Sequence, residues 1–226
     1  MKLFFVTGTD TGAGKTTVTR ALTAALAARG LRVAALKPIE TGCAGTPEGH
    51  LWADDGELLR EAAGSWLSSR EVTPLRFRLP LSPAAAADAP IDLAALAAHI
   101  QAIAASADVT LVEGAGGLLV PLDDATLTAD FIATLGARVI VVARDALGTV
   151  NHTLLTLAEC ARRGLDVAGV ILSRLTPSAG PDVASNAGAI ARFGRARLLG
   201  TLPHLDPAPD RAALARAGAA LDLSVF

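Results

Sequence analysis

Lys15 and Thr16 close the stretch Gly8-Thr9-Asp10-Thr11-Gly12-Ala13-Gly14-Lys15-Thr16, and their chemistry is that of a phosphate cradle. The stretch follows an apolar run, Leu3-Phe4-Phe5-Val6, and opens an Ala-rich segment of helical character. Glycines let a backbone wrap close to an anion with successive N–H groups pointing inward. The helix that follows adds partial positive charge at its start. Lys15 can reach the outer phosphates and the Thr16 hydroxyl can ligate Mg2+. The spacing is unusual: five residues separate Gly8 from Gly14, where the common pattern has four before its Gly-Lys pair. The alternative is a Gly-rich turn that merely joins strand to helix.

More candidates stand where other apolar runs end. Lys37 closes the second run, ahead of Pro38-Ile39-Glu40-Thr41-Gly42. There it could stabilise charge developing on a transferring phosphoryl group, or simply be a solvated lysine. Glu113 closes Val109-Thr110-Leu111-Val112 and precedes Gly114-Ala115-Gly116-Gly117. With Thr16 it supplies hard oxygens of the kind Mg2+ takes, and the small residues leave room for a ligand. The alternative is a carboxylate that caps the next turn. Asp54-Asp55 opens a helical segment, where Asp is favoured whatever its function. Arg144-Asp145-Ala146-Leu147-Gly148-Thr149-Val150-Asn151-His152 again runs through Gly into a helix. Its free N–H groups could hold a carboxylate, or Asn151 could be an ordinary cap. His152 and Cys160 read as structural.

The elements that must position these residues alternate in kind. Strands are predicted at Leu3–Thr7, Arg32–Leu36, Val109–Glu113, Arg138–Ala143, Val167–Leu172 and Arg197–Thr201. Helices are predicted at Lys15–Arg29, Asp54–Ala63, Asp92–Ser106, Leu127–Leu135, Asn151–Arg163, Val183–Phe193 and Arg211–Ala219. Near-continuous apolar strands between helices predict an α/β fold, a mostly parallel sheet with helices on both faces. Ligands in such sheets lie beyond the carboxyl ends of the strands, where all the candidates fall. Segment 41–56 and the Pro-rich Pro80–Pro90 read as two long loops over that edge.

The 226 residues suffice for one large domain, and no composition shift marks a second. With no tyrosine and 4% aromatics, the core must be built from Leu, Val, Ile and Ala. A net charge of −2 without a basic block argues against nucleic acid. Two cysteines, Cys43 and Cys160, give no disulfide framework and fit a reducing compartment. The apolar run at the start is too short for a secretory or membrane segment. These features predict a soluble cytoplasmic protein that binds no membrane.

Together the segments resemble the dethiobiotin synthetase family, a P-loop NTPase-like group. The resemblance is carried by Val6-Thr7-Gly8-Thr9-Asp10-Thr11 through Gly14-Lys15-Thr16, by Lys37-Pro38, and by Val112-Glu113-Gly114-Ala115-Gly116-Gly117. Leu147-Gly148, Asn151-His152 and Leu199-Gly200-Thr201-Leu202-Pro203 add to it. The five-residue spacing in the phosphate loop is this family's own. The resemblance implies that CO2 is taken up on one amine of 7,8-diaminononanoate as a carbamate. ATP phosphorylates the carbamate, and the second amine closes a cyclic urea, the penultimate step of biotin synthesis. It also implies ATP as co-substrate, Mg2+, and a homodimer with the substrate site at the subunit interface.

By the same resemblance, Gly12, Ala13, Gly14, Lys15, Thr16 and Thr17 cradle the triphosphate, with Gly114, Ala115 and Gly116 beside the nucleotide. Thr16, Asp54 and Glu113 hold Mg2+, Asp55 being the alternative to Asp54. Lys15, Lys37 and Thr11 are the catalytic set, the lysines neutralising charge on the carbamate and the transferring phosphoryl group. Thr41 contacts substrate, and Gly116 and Gly117 leave it room. Leu147, Gly148, Thr149 and Asn151 meet the partner subunit's substrate carboxylate. Where relatives carry Asn-Asp to read adenine, this chain has Ser173-Arg174, and Arg can only donate. Backbone groups near Pro203, His204 and Leu205 then read adenine, or other triphosphates are accepted. Asp210 is placed at the ribose. A competing reading is a partner-regulated positioning ATPase, but such proteins carry an early loop lysine near the place of Asp10. The synthetase half of a glutamine-dependent amidotransferase is a third reading, and neither cysteine sits in a nucleophile's context.

Overall fold

The computed structural model describes residues 2–177, 183–206 and 208–226. Six parallel strands form the central sheet: β1 (Lys2–Gly8), β2 (Val33–Leu36), β7 (Val109–Gly117), β8 (Arg138–Arg144), β9 (Val167–Ser173) and β10 (Leu198–Leu202). Their spatial order is β2-β7-β1-β8-β9-β10, so the chain's progress across the sheet reverses around β1. A crevice opens at such a reversal beyond the strands' carboxyl ends. Two minor pairs flank it: β3 (Ile39–Thr41) with β6 (Leu75–Phe77), and β4 (Ala44–Gly45) with β5 (Leu51–Trp52). The helices are α1 (Lys15–Ala28), α2 (Asp54–Ala62), α3 (Ser69–Val72), α4 (Pro83–Ala86), α5 (Leu93–Ala104), α6 (Thr128–Leu135), α7 (Thr149–Arg162), α8 (Val183–Gly194) and α9 (Arg211–Ala219).

Alternation along β1 divides the core. Phe4 and Val6 pack with α1 and α9 on one face, while Leu3 and Phe5 join α5, α6 and Ile190 of α8 on the other. Both faces are therefore covered, as continuous apolar strands require. Helices α1 and α9 meet very closely. A Cβ on Gly218 would collide with the carbonyl oxygen of Ala21, so only glycine permits that approach. Among the described residues, no helix is long and apolar enough to cross a membrane.

The central elements match the expected alternation, and the differences are local. Strand β7 does not end at Glu113 but runs on through the small residues to Gly117. Val6 pairs with Glu113 and Gly8 with Gly117, so two steps of β1 face four of β7, and the strand bulges at the site. Segment 41–56 is not one loop but contains the β4–β5 ribbon. The Pro-rich stretch includes one helical turn, with Pro83 at the start where its missing N–H is harmless. Helix α7 begins at Thr149 rather than Asn151, because Gly148 in the left-handed region (φ 92°) starts it.

Candidate active site

Gly14 ends the phosphate loop in the left-handed region (φ 91°) and starts α1 with no side-chain cap. The N–H groups of the first turn are thus left for an anion. The loop's shape is enforced from behind, since a Cβ on Gly14 would strike the Ser173 hydroxyl. Lys15 is 7% exposed and folds back over Gly8, whose missing side chain makes the space. Thr9 N–H donates to the Val142 carbonyl (3.0 Å), tying the loop to β8.

Beside the loop lies an ionic cluster. Lys37 follows β2 and is 5% exposed, which rules out the solvated lysine. Its Nζ lies 2.6 Å from Glu113 Oε1 and 3.1 Å from Asp55 Oδ2. Thr16 Oγ1 donates to the same Glu113 oxygen at 2.9 Å. Among the described residues, Glu113 Oε2 is buried with no hydrogen-bond partner. An orphaned carboxylate oxygen at such depth is costly unless something cationic completes it. Oxygen donors from Thr16, Glu113 and Asp55 are of the hard type that suits Mg2+. Among the described residues, no three His, Cys, Asp or Glu side chains form a metal site by themselves.

These groups surround a cavity of about 660 Å3. Of the predicted site residues, Thr11, Gly12, Gly14, Lys15, Thr16, Thr17, Lys37, Thr41, Glu113, Ala115 and Gly116 line it. Asp54 does not: it is exposed outside the cavity, and the helical turn puts Asp55 on the inner side instead. Ala13 is buried in the core with α1. Gly114 lies against the Phe5 ring, and Gly117 pairs with Gly8, so both serve the strand rather than the cavity wall. Sequence reasoning missed Glu40, Pro80, Leu81, Ser82, Pro83 and Val120, which complete the wall. Four of them, Pro80 to Pro83, lie in the segment whose length over this edge was the available signal.

A second cavity of about 140 Å3 adjoins the first across Thr17. Ser173, Arg174, His204 and Leu205 line it, whereas Pro203 and Asp210 do not. The Asp210 carboxylate is occupied at the start of α9, accepting from Ala213 N–H at 2.7 Å. Arg174 Nε donates to the buried Asp145 (3.3 Å), whose other oxygen accepts from Asn186 (3.0 Å). Asp145 and Asn186 were not foreseen as Arg174's support. Leu147, Gly148, Thr149 and Asn151 follow β8 at the same edge but line neither cavity. Leu147 is 89% exposed, while the Thr149 hydroxyl is buried without a partner among the described residues. Gly148, not Asn151, stands at the helix cap, and no side chain caps it.

The two lysines differ electrostatically. Burial alone would lower the Lys37 pKa, but Glu113 and Asp55 outweigh it and raise the value above the ordinary 10.5. Lys37 therefore stays an ammonium through the working pH range. Burial lowers the Lys15 value, Lys37 adds to this, and the attraction of Glu113 only partly offsets it. Among the described residues Lys15 pairs with no carboxylate. It therefore loses its proton at a lower pH than an ordinary lysine. Nucleotide kcat/KM, which reports the free enzyme, is expected to fall on alkaline titration with a midpoint below 10.5. A midpoint at or above that value contradicts this assignment.

A family model described as an AAA domain matches residues 2–210. A protein of Anaeromyxobacter dehalogenans (strain 2CP-C) named ATP-dependent dethiobiotin synthetase BioD is 46% identical over 221 residues, covering 96% of this chain and 95% of its own. One of the same name from Thermodesulfovibrio yellowstonii is 37% identical over 214 residues, covering 89% and 88%. Among solved structures, the cell division ATPase MinD of Pyrococcus furiosus aligns with TM-score 0.56 over 97% of this chain and 98% of its own, at 16% identity. A ParA family ATPase from Chlorobium tepidum TLS aligns with TM-score 0.53 over 99% and 93%, at 13% identity. At such identities these two likenesses speak for the fold alone.

Proposed function

The chain belongs to the ATP-dependent dethiobiotin synthetase family, and from that premise we propose how its residues divide the work. It is an ATP-dependent cyclo-ligase of biotin biosynthesis. One amine of 7,8-diaminononanoate adds to CO2 and loses a proton, giving a carbamate. A carbamate oxygen attacks the terminal phosphorus of ATP, and ADP leaves. The second amine then attacks the carbonyl carbon and loses a proton. The C–O bond to phosphate breaks, and the ring is a cyclic urea. Phosphorylation is needed because a carbamate oxygen is a poor leaving group.

The observation that carries this division is one cavity holding both lysines beside an uncapped helix start. Residues Gly12 to Thr17 cradle the triphosphate, and Lys15 meets its outer phosphates. Lys37, fixed as an ammonium, stands where negative charge builds on the carbamate and the transferring phosphoryl group. Catalysis then rests on positioning and electrostatics. Thr11 and Thr41 orient the diamine. Thr16, Glu113 and Asp55, the last in place of Asp54, would hold Mg2+, which offsets charge on phosphate oxygens when bound. The smaller cavity at Arg174 and His204 receives the base. The exposed Leu147 and the open start of α7 support a homodimer in which that segment serves the partner's substrate. We read residues 1–226 as one domain, working in the cytoplasm without nucleic acid or membrane.

Supplied with diamine, bicarbonate, Mg2+ and ATP, the protein is expected to release phosphate only when the diamine is present. The same assay with other triphosphates reads the base cavity. Hydrolysis that ignores the diamine would instead favour a nucleotide-driven switch of the positioning type.

A further inference from the structure

Helix α2 carries Asp55, yet its own cap position is Ala53, which offers no side-chain hydrogen bond. The missing cap comes from elsewhere in the chain. Glu40, on β3 and 6% exposed, turns its carboxylate onto the first turn of α2. Oε1 accepts from Asp55 N–H at 3.0 Å and Oε2 from Gly56 N–H at 2.8 Å. Both oxygens are used, and both donors belong to the stretch that presents Asp55 to Lys37. The contact is fitted from the other side as well. A Cβ on Gly56 would collide with the Thr73 hydroxyl, so only glycine lets the first turn of α2 sit this close to Thr73 with its N–H on Glu40. Glu40 lines the large cavity but pairs with none of the lysines there among the described residues.

We propose that Glu40 is a positioning residue: it caps α2 across the fold and so fixes the Asp55 carboxylate against Lys37 and Glu113. The inference rests on the reading of Asp55 as a Mg2+ ligand. Two N–H bonds to one carboxylate set both the location and the direction of the helix start. A glutamine would meet one N–H with its carbonyl and turn an NH2 donor onto the other. Asp55 would then lose its register with Lys37 while the cavity kept its shape. Residues that orient a ligand in this way typically change metal affinity by about 10- to 100-fold when altered.

The test is calorimetric titration of ADP, with Mg2+ and with a chelator, into the parent protein, Glu40→Gln, Asp55→Asn and the double variant. Expected is a loss of roughly tenfold or more in Mg-ADP affinity for Glu40→Gln, with Mg-free ADP unchanged. The double variant should bind no worse than Asp55→Asn, because Glu40 acts through Asp55. Equal losses with and without Mg2+, additive losses in the double variant, or no loss at all would each overturn the inference. A parent protein that gains nothing from Mg2+ would remove the metal reading itself, and this inference with it. If Glu40→Gln does not fold, Glu40→Asp keeps the charge but withdraws it by one methylene, and is judged by the same outcomes.

Discussion

Lys37→Met is expected to lose turnover and stability together. Removing one preorganised charge aimed at the reacting group costs about 10^2- to 10^3-fold in kcat. The stability loss has a separate origin. Lys37 is the cation shared by a fully buried Glu113 and a part-exposed Asp55, and methionine fills its volume without its charge. Breaking a buried pair from one side costs about 3–5 kcal/mol, and the exposure of Asp55 places this case near the lower end. For a chain of this length that is a fall of roughly 6–12 °C in melting temperature. Phosphate release and a thermal melt read the two effects separately. A variant that melts with the parent would mean that Glu113 does not depend on Lys37.

Lys15→Ala is expected to lose turnover alone, by about 10^3-fold, since the triphosphate loses the cation nearest its outer oxygens. Here burial works against the native residue. Lys15 is desolvated while paired with no carboxylate among the described residues. Its removal relieves that penalty, so the melting temperature should hold or rise in the absence of nucleotide. The contrast between the variants is the informative result. On the proposed reading two buried lysines of one cavity serve the same chemistry, and only Lys37 is expected also to hold the fold. A melt lowered as far as that of Lys37→Met would place Lys15 in the structural network.

Much of this arrangement was legible in the residues themselves. The apolar run into Gly8–Thr16 announces a strand, a turn and a helix start. The acid after Val109–Val112 announces a carboxylate beside the phosphate loop, although the strand runs on past it to Gly117. What stayed hidden depended on contacts between distant segments. Asp54 and Asp55 are equivalent in the sequence, and only the phase of α2 decides which one faces Lys37. Glu40 reaches N–H groups 15 and 16 residues away, a pairing no local pattern signals. Asp210, by contrast, stands at the start of a predicted helix, and its capping role was open to a propensity argument. Continuation of β7 through four small residues defied strand propensity, because pairing with β1 overrode it.

The seam between α1 and α9 ties the nucleotide loop to a part of the chain remote from every reacting atom. Gly218 rests directly on the Ala21 carbonyl, with the Ala25 methyl close beside it. Stiff, bufferless contact passes displacement on instead of absorbing it. A bulkier residue at position 218 is therefore expected to lift α9 off α1, the helix whose start forms the loop, and to weaken anion binding from the rear of the molecule.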